Sequence, residues 1–410
     1  MGNTKSFNSF QYLWAYSVCI YGIIMANVSW GWGISREFAM AYIAIISFLK
    51  LSKSNIEFFP KCRLLIISFI IYELFNVIIW NEFRIGIIIS AATYLLLIFS
   101  IVLSIYEEKK LLLKAMSNCF VVILLISLPA WILYLMGVQL PHGNEIRPND
   151  FHVLFDYHFF LTTAKGYNFF PRFQSIFLEP GQFATPCAFL YFLNGANFSR
   201  KNILFLIAIL LSFSLISYGL TIAAFTTSRM FRSQKHRIFK TIISVIAIAG
   251  ISFYFSNSEN EDDPITTLIV YRLQYDEEKG ISGNNRTNSY FDSQYEQLMS
   301  SSDRYWGIHQ QLKGGEDWTY NTSGYKKVIV HRGIIGLFIS LLIPFLLFYY
   351  NRNLATASFL VMVVTAYMVR DLMMSPLWMS IAIIGFYILG KQAIEEKTLT
   401  YSENAISLTR

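Results

Sequence analysis

An arginine and a carboxylate seven positions apart are the residues best placed to do chemistry. They are Arg172 and Glu179, in the run Arg172-Phe173-Gln174-Ser175-Ile176-Phe177-Leu178-Glu179-Pro180-Gly181. Pro180 suits the first turn of a helix, where its missing N–H costs nothing. The start of a helix offers free N–H groups and the positive end of the helix dipole, so it can hold an anion. A guanidinium beside it is a permanently charged planar fork that fits phosphate oxygens. Glu179 has three readings: a general base, a partner that orients Arg172, or a carboxylate favoured by the helix dipole. The run therefore reads as one half of a site for a phosphate-bearing lipid.

A second polar stretch begins more than a hundred residues later. It reads Gly283-Asn284-Asn285-Arg286, then a helix-like Thr287–Met299, then Asp303-Arg304-Tyr305-Trp306. Lys313-Gly314-Gly315-Glu316-Asp317-Trp318 follows, and the loop closes on Tyr320–Tyr325. Arg286 and Arg304 add cations suited to pyrophosphate. Trp306, Trp318 and Tyr325 add faces on which sugar rings stack. The plain alternative for any one of these aromatics is loop packing or anchorage at the membrane interface. Arg172 and Arg286 both fall where a loop meets the membrane, which favours a functional role. Glu316-Asp317 reads as solvated surface. Glu73 is an isolated charge inside an apolar run and should pair within the bundle. Arg370-Asp371 reads as an ion pair at a helix end.

The elements that must position these residues are membrane helices. The chain has 410 residues, 54% of them hydrophobic and only 14% charged. Soluble domains carry about 25% charged residues. The apolar residues gather in runs near the roughly 20 residues needed to cross a bilayer. The spacing predicts an all-α polytopic membrane protein with about 11–12 transmembrane helices, counting a broken pair, and two external loops. The net charge of +7 follows membrane orientation, so no nucleic-acid partner is expected. The first span reads as an anchor rather than a cleaved signal peptide. Cys19, Cys62, Cys119 and Cys187 show no paired spacing, so neither disulfides nor a thiolate metal site is indicated.

Lys50, Lys53, Lys61 and Arg63 follow the second span, and Lys109, Lys110 and Lys114 follow the fourth. That basic bias places the N-terminus and those loops in the cytosol. Residues 1–138 form a five-span bundle. Residues 139–410 form a second half, with external loops at 139–179 and 257–327. The apolar run Ile203–Thr227 is long enough for one crossing, yet the very basic Arg229–Lys240 follows it. The conflict is resolved if the run enters and returns as two short helices. Its break would lie near Ser212-Phe213-Ser214 and Ser217-Tyr218-Gly219, whose hydroxyls can satisfy freed backbone groups.

With these pieces in place, the chain resembles the O-antigen polymerase and ligase superfamily of integral membrane glycosyltransferases. The matching pieces are Arg172 with Ser175-Ile176-Phe177-Leu178-Glu179-Pro180, the polar break Leu211-Ser212-Phe213-Ser214-Leu215, Arg286 before a helix, and Tyr325 leading to Gly333-Ile334-Ile335-Gly336. The likeness covers about residues 139–350. The ligase branch carries a His-Asn pair about eleven residues before the first glycine of that motif. Here Thr322 and Ser323 stand there, which favours the polymerase branch. One loop spacing described for polymerases, Arg304 to Gly315, is met; Arg172 to Gly181 does not meet it.

The resemblance implies a surface polysaccharide polymerase in a bacterial cytoplasmic (inner) membrane, acting at its outer face. It would transfer an undecaprenyl-pyrophosphate-linked glycan onto a lipid-linked repeat unit, without metal or other cofactor. Arg172, Arg286 and Glu179 would be catalytic. Arg304, Tyr325, Trp306 and Trp318 would bind substrate. A chain-length regulator protein would be a further partner. Two alternatives remain open: a ligase that transfers finished glycan to lipid A-core, and a flippase for lipid-linked oligosaccharides.

Overall fold

The computed structural model describes residues 7–26, 35–53, 60–79, 85–143, 145–149, 152–164, 171–227, 275–276, 280–281, 289–308, 324–370 and 372–408. Among the described residues there are twelve α-helices. The first five are α1 (Ser9–Met25), α2 (Arg36–Lys53), α3 (Pro60–Ile79), α4 (Ile85–Val102) and α5 (Tyr106–Leu135). Then come α6 (Pro180–Leu193), α7 (Arg200–Leu211), α8 (Leu215–Thr227) and α9 (Ser289–Ser300). The last three are α10 (Gly324–Tyr350), α11 (Leu354–Val369) and α12 (Pro376–Leu408). The helices α4, α5 and α10 are long and apolar enough to cross a bilayer. Large apolar side chains such as Phe38, Ile78, Ile85 and Phe338 stand exposed, as on a surface that faces lipid.

The fold is mostly helical, as expected, and short strands are added in the loops. Between α5 and α6 lies an antiparallel sheet of β1 (Glu145–Asn149), β2 (His152–Asp156) and β3 (Thr162–Ala164), in that order. A short ribbon pairs β4 (Tyr275–Asp276) with β5 (Gly280–Ile281). In β2 the side chains alternate: Leu154 and Asp156 are buried, while Phe155 on the other face is half-buried. That two-residue period is the signature of a strand with one docked face.

All the described helices except α9 share one large apolar core, which runs from Trp14 in α1 to Leu389 in α12, and α9 packs in a separate small cluster with the start of α10. The last helix, α12, packs against α1, α4, α5 and α6, and α3 lies along α10. A polar clasp ties several helix ends together at the end of the bundle where α1 begins. Lys50 of α2 pairs with Glu108 of α5 at 3.0 Å, and both are buried. Gln11 of α1 donates to the other oxygen of Glu108 at 2.9 Å. Lys109 donates to the carbonyl of Val102 at 3.0 Å and to that of Ser104, and lies 4.4 Å over the Tyr387 ring of α12. These charges read as a solvated loop in the sequence. They are buried because partners arrive from four other helices, and a buried charge is tolerated when it is paired and hydrogen-bonded.

The expected helix break is present and lies at Ser212-Phe213-Ser214. Helix α8 continues through Ser217, Tyr218 and Gly219, so only the first of the two expected polar clusters breaks the run. Phe213 takes a positive φ of 47°. The start of α8 meets the start of α6, where Ser217 Oγ lies 3.4 Å from Thr185 Oγ1. Its end meets the end of α6, where the Tyr191 and Phe225 rings are 5.8 Å apart. Helix α8 therefore runs parallel to α6. The start of α7 lies at the other end, with Asn202 bonded to Asn197 at 2.9 Å. The run goes up along α6 as α7 and returns as α8.

Candidate functional site at the head of α6

Helix α6 begins as the sequence suggests. Pro180 is its first residue, and Glu179 is the extended N-cap, with φ −137° and ψ 144°. The Glu179 carbonyl accepts from the Gln182 N–H at 3.0 Å. Its side chain makes no capping bond. It reaches across the bundle and accepts from Arg370 Nη1, an ion pair in which the arginine side chain is 14% exposed and the carboxylate 54%. Arg370 closes α11, its N–H bonded to the Ala366 carbonyl at 2.9 Å. The sequence reading gave it Asp371 as a partner; Asp371 lies outside the described residues.

Two glycines make room for Arg370. A Cβ on Gly181 would stand 2.5 Å from Nη2 and 2.9 Å from Cζ of that guanidinium. A Cβ on Gly324 would stand 2.5 Å from the Arg370 backbone nitrogen. Gly181 opens α6, where the first loop returns to the bundle. Gly324 opens α10, where the second loop returns. Both loops therefore come back to the bundle against the same arginine.

Arg172 is used differently from the expectation. Its Nε donates to the Ser212 carbonyl at 3.0 Å and its Nη2 to the Phe213 carbonyl at 2.7 Å. The helix break frees a row of carbonyls, and each finds a donor. The Tyr218 hydroxyl bonds Leu210 at 2.6 Å, and the Phe173 N–H bonds Leu211 at 3.0 Å. Arg172 takes the next two. A cation at the C-terminal end of α7 also suits the negative pole of that helix. So Arg172 holds the elbow. Its described contacts lie at the C-terminus of α7 rather than the N-terminus of α6.

A line of buried hydroxyls joins the elbow to the head of α6. Ser212 Oγ accepts from the Ser214 N–H at 3.3 Å, and Ser217 Oγ bonds Ser214 Oγ at 3.1 Å. Ser217 then meets Thr185, whose Oγ1 donates to the Gly181 carbonyl at 2.8 Å. Arg172, the elbow, Gly181, Arg370 and Glu179 thus belong to one polar wall.

The remaining candidates sit elsewhere. Arg304 donates to the Met299 carbonyl at 3.3 Å and to Tyr305 Oη at 2.9 Å, so it braces its own turn. Trp306 is half exposed and stacks on Phe75 of α3 at 6.3 Å. This turn lies across a kink in α10 at Gly333, whose φ of 67° and ψ of −177° suit glycine alone. A side chain there would strike the Tyr305 carbonyl. Tyr325 follows Gly324 and packs half-buried with Phe291, Leu298 and Ile329. Glu73 lies on α3, which runs along α10, the helix that carries Arg332. Arg286 and Trp318 lie outside the described residues.

Arg370 was missed as a site residue in the sequence. The one local signal for it was Gly181, a glycine directly after the helix-opening proline, where close approach of another group needs a missing Cβ. No protein-family model, curated protein or solved structure matches the chain.

Proposed function

We propose that this protein is a surface polysaccharide polymerase of a bacterial inner membrane, with its site at the head of α6 on the outer face. The observation that carries the reading is the return of both loops against Arg370, which is paired with Glu179 at a helix N-terminus. The up-and-back course of α7 and α8 supports that orientation, since it brings Thr227, from which the basic stretch continues, to the side of the Lys50–Glu108 clasp. In this reading about 11–12 spans, counting that pair, carry two external loops.

The reaction needs a cationic wall at the membrane surface. The acceptor sugar hydroxyl attacks the anomeric carbon of the donor glycan. A glycosidic bond forms, the bond from that carbon to the pyrophosphate oxygen breaks, and undecaprenyl pyrophosphate leaves with the electron pair. Fixed cations aimed at that leaving group stabilise the transition state more than the ground state. Arg370 and the first-turn N–H groups of α6 would receive the pyrophosphate, with Arg286 from the second loop. Arg172 would keep the elbow wall in shape and add its charge to the field. Glu179 would orient Arg370 and, when that pair opens, take the proton of the acceptor hydroxyl. Tyr325, Trp306, Arg304 and Trp318 would contact the glycan.

The test uses the purified protein in nanodiscs with the lipid-linked repeat isolated from the host cells. The expected result is a ladder of oligomers together with free undecaprenyl pyrophosphate, both lost in Arg370→Gln. Transfer to lipid A-core alone would mark a ligase, and no turnover of lipid-linked repeat would remove the reading.

A further inference from the structure

The first loop holds a surface that the site above does not use. The register across the sheet sets Glu145 opposite Phe155, and Phe155 opposite Thr163. Directly opposed residues share a face. The ladder continues one step past β1, where the Gly143 N–H bonds the Asp156 carbonyl at 2.8 Å. That step brings His142 to Tyr157, with rings 5.9 Å apart, while His142 and Phe155 are 5.1 Å apart. Tyr134 at the end of α5 joins them, 5.3 Å from Tyr157. Phe155, Tyr157 and Tyr134 are half-buried and His142 is exposed, while Thr163, opposite Phe155, is buried and closes this face at β3.

The opposite face of the sheet is docked. Leu154, Asp156 and Thr162 are buried there. Thr162 Oγ1 donates to the Ser175 carbonyl at 2.8 Å and the Phe177 carbonyl at 3.1 Å, and Ser175 Oγ donates to the Phe160 carbonyl at 3.1 Å. The sheet is therefore buttoned onto the segment that runs from Arg172 to Glu179, and its other face carries the rings.

We infer that this ring-bearing face is a pyranose platform for the glycan part of the lipid-linked substrate, an inference that rests on the transfer chemistry proposed above. A pyranose has an apolar face of C–H groups and a rim of hydroxyls. Rings accept the face, and neighbouring donors and acceptors take the rim. This face supplies both, with Phe155, Tyr157 and Tyr134 beside a carboxylate, an imidazole and two phenols. The Tyr157 phenol is a hydroxyl donor at neutral pH, as any phenol is, and burial pushes it further from ionisation. The attachment to the Arg172–Glu179 segment fixes the platform relative to the head of α6. A sugar held there stays registered with the pyrophosphate.

The test is saturation-transfer NMR on the full-length protein in nanodiscs. The probe is the oligosaccharide released by mild acid from the host's lipid-linked pool. The expected result is transfer to pyranose ring C–H protons. Binding should weaken about tenfold in Tyr157→Leu and in His142→Ala, as for truncation of a central contact residue. His142→Ala touches an exposed side chain, so it keeps the test valid if Tyr157→Leu disturbs the sheet. Arg370→Gln should bind the oligosaccharide like the wild type while failing to polymerise. A wild-type protein that polymerises yet shows no transfer would overturn the platform and leave the function standing. Binding without any polymerisation would do the reverse. Quenching of a Tyr157→Trp probe by brominated lipid would make these rings interfacial anchors and also overturn the inference.

Discussion

Replacing Arg172 with methionine keeps most of the side chain's length and removes the guanidinium. Two hydrogen bonds from a charged donor are lost, to Ser212 and Phe213. Such bonds contribute about 1.5–3 kcal/mol each, and the Ser212 carbonyl is left without this donor in a buried residue. The elbow should lose about 3–5 kcal/mol. Since each 1.4 kcal/mol is about a factor of ten, local opening at the elbow should become at least about a hundredfold more frequent. Amide hydrogen exchange over residues 210–219 reads this directly. Arg172→Lys keeps the charge but offers a flexible point donor in place of the fork, so about half of the loss is expected. Exchange at the elbow that is unchanged in Arg172→Met would refute the reasoning. If Arg172→Lys restores protection but not polymer length, the arginine fork also acts on the substrate.

Other perturbations test neighbouring features. Gly181→Ala should displace the Arg370 guanidinium from the head of α6 and reduce polymer formation at least tenfold while membrane insertion stays normal, scored on gels of surface glycan. Gly333→Ala should cost about 1–3 kcal/mol in backbone strain alone and release the Tyr305–Gly307 turn, seen as faster protease cleavage after Arg304. Glu108→Gln leaves Lys50 buried without its counter-charge; a loss of about 3–5 kcal/mol should lower the melting temperature in detergent without changing product identity. Arg286→Lys should shorten the polymer in a protein that still inserts, and wild-type chain length in that variant would remove Arg286 from the site.

The helices were legible because apolar runs of bilayer length have few other structures open to them. The break after Leu211 was legible for a different reason. A single crossing would have put Arg229–Lys240 on the wrong side, and Ser212 and Ser214 offered hydroxyls to the freed backbone. The break stops before Ser217 because Ser217 and Thr221 turn their hydroxyls elsewhere, Ser217 to Ser214 and Thr221 back to the Ser217 carbonyl of its own helix. The sheet was hidden because its strands are only three to five residues long and carry Asp, His and Pro among the apolar positions. The pairing of Glu179 with Arg370 spans 191 positions, and no local pattern encodes a contact of that range. Lys50 and Glu108 were hidden in the same way: each reads as a solvated charge until the partner helix is seen.

The central claim is most directly tested in the cell that makes this protein. Its coding sequence is deleted and the surface glycan is sized on gels. The account predicts acceptors that each carry a single repeat unit, with polymer restored by the wild-type protein and not by Arg370→Gln. Acceptors with no glycan at all, or glycan of full length, would contradict it.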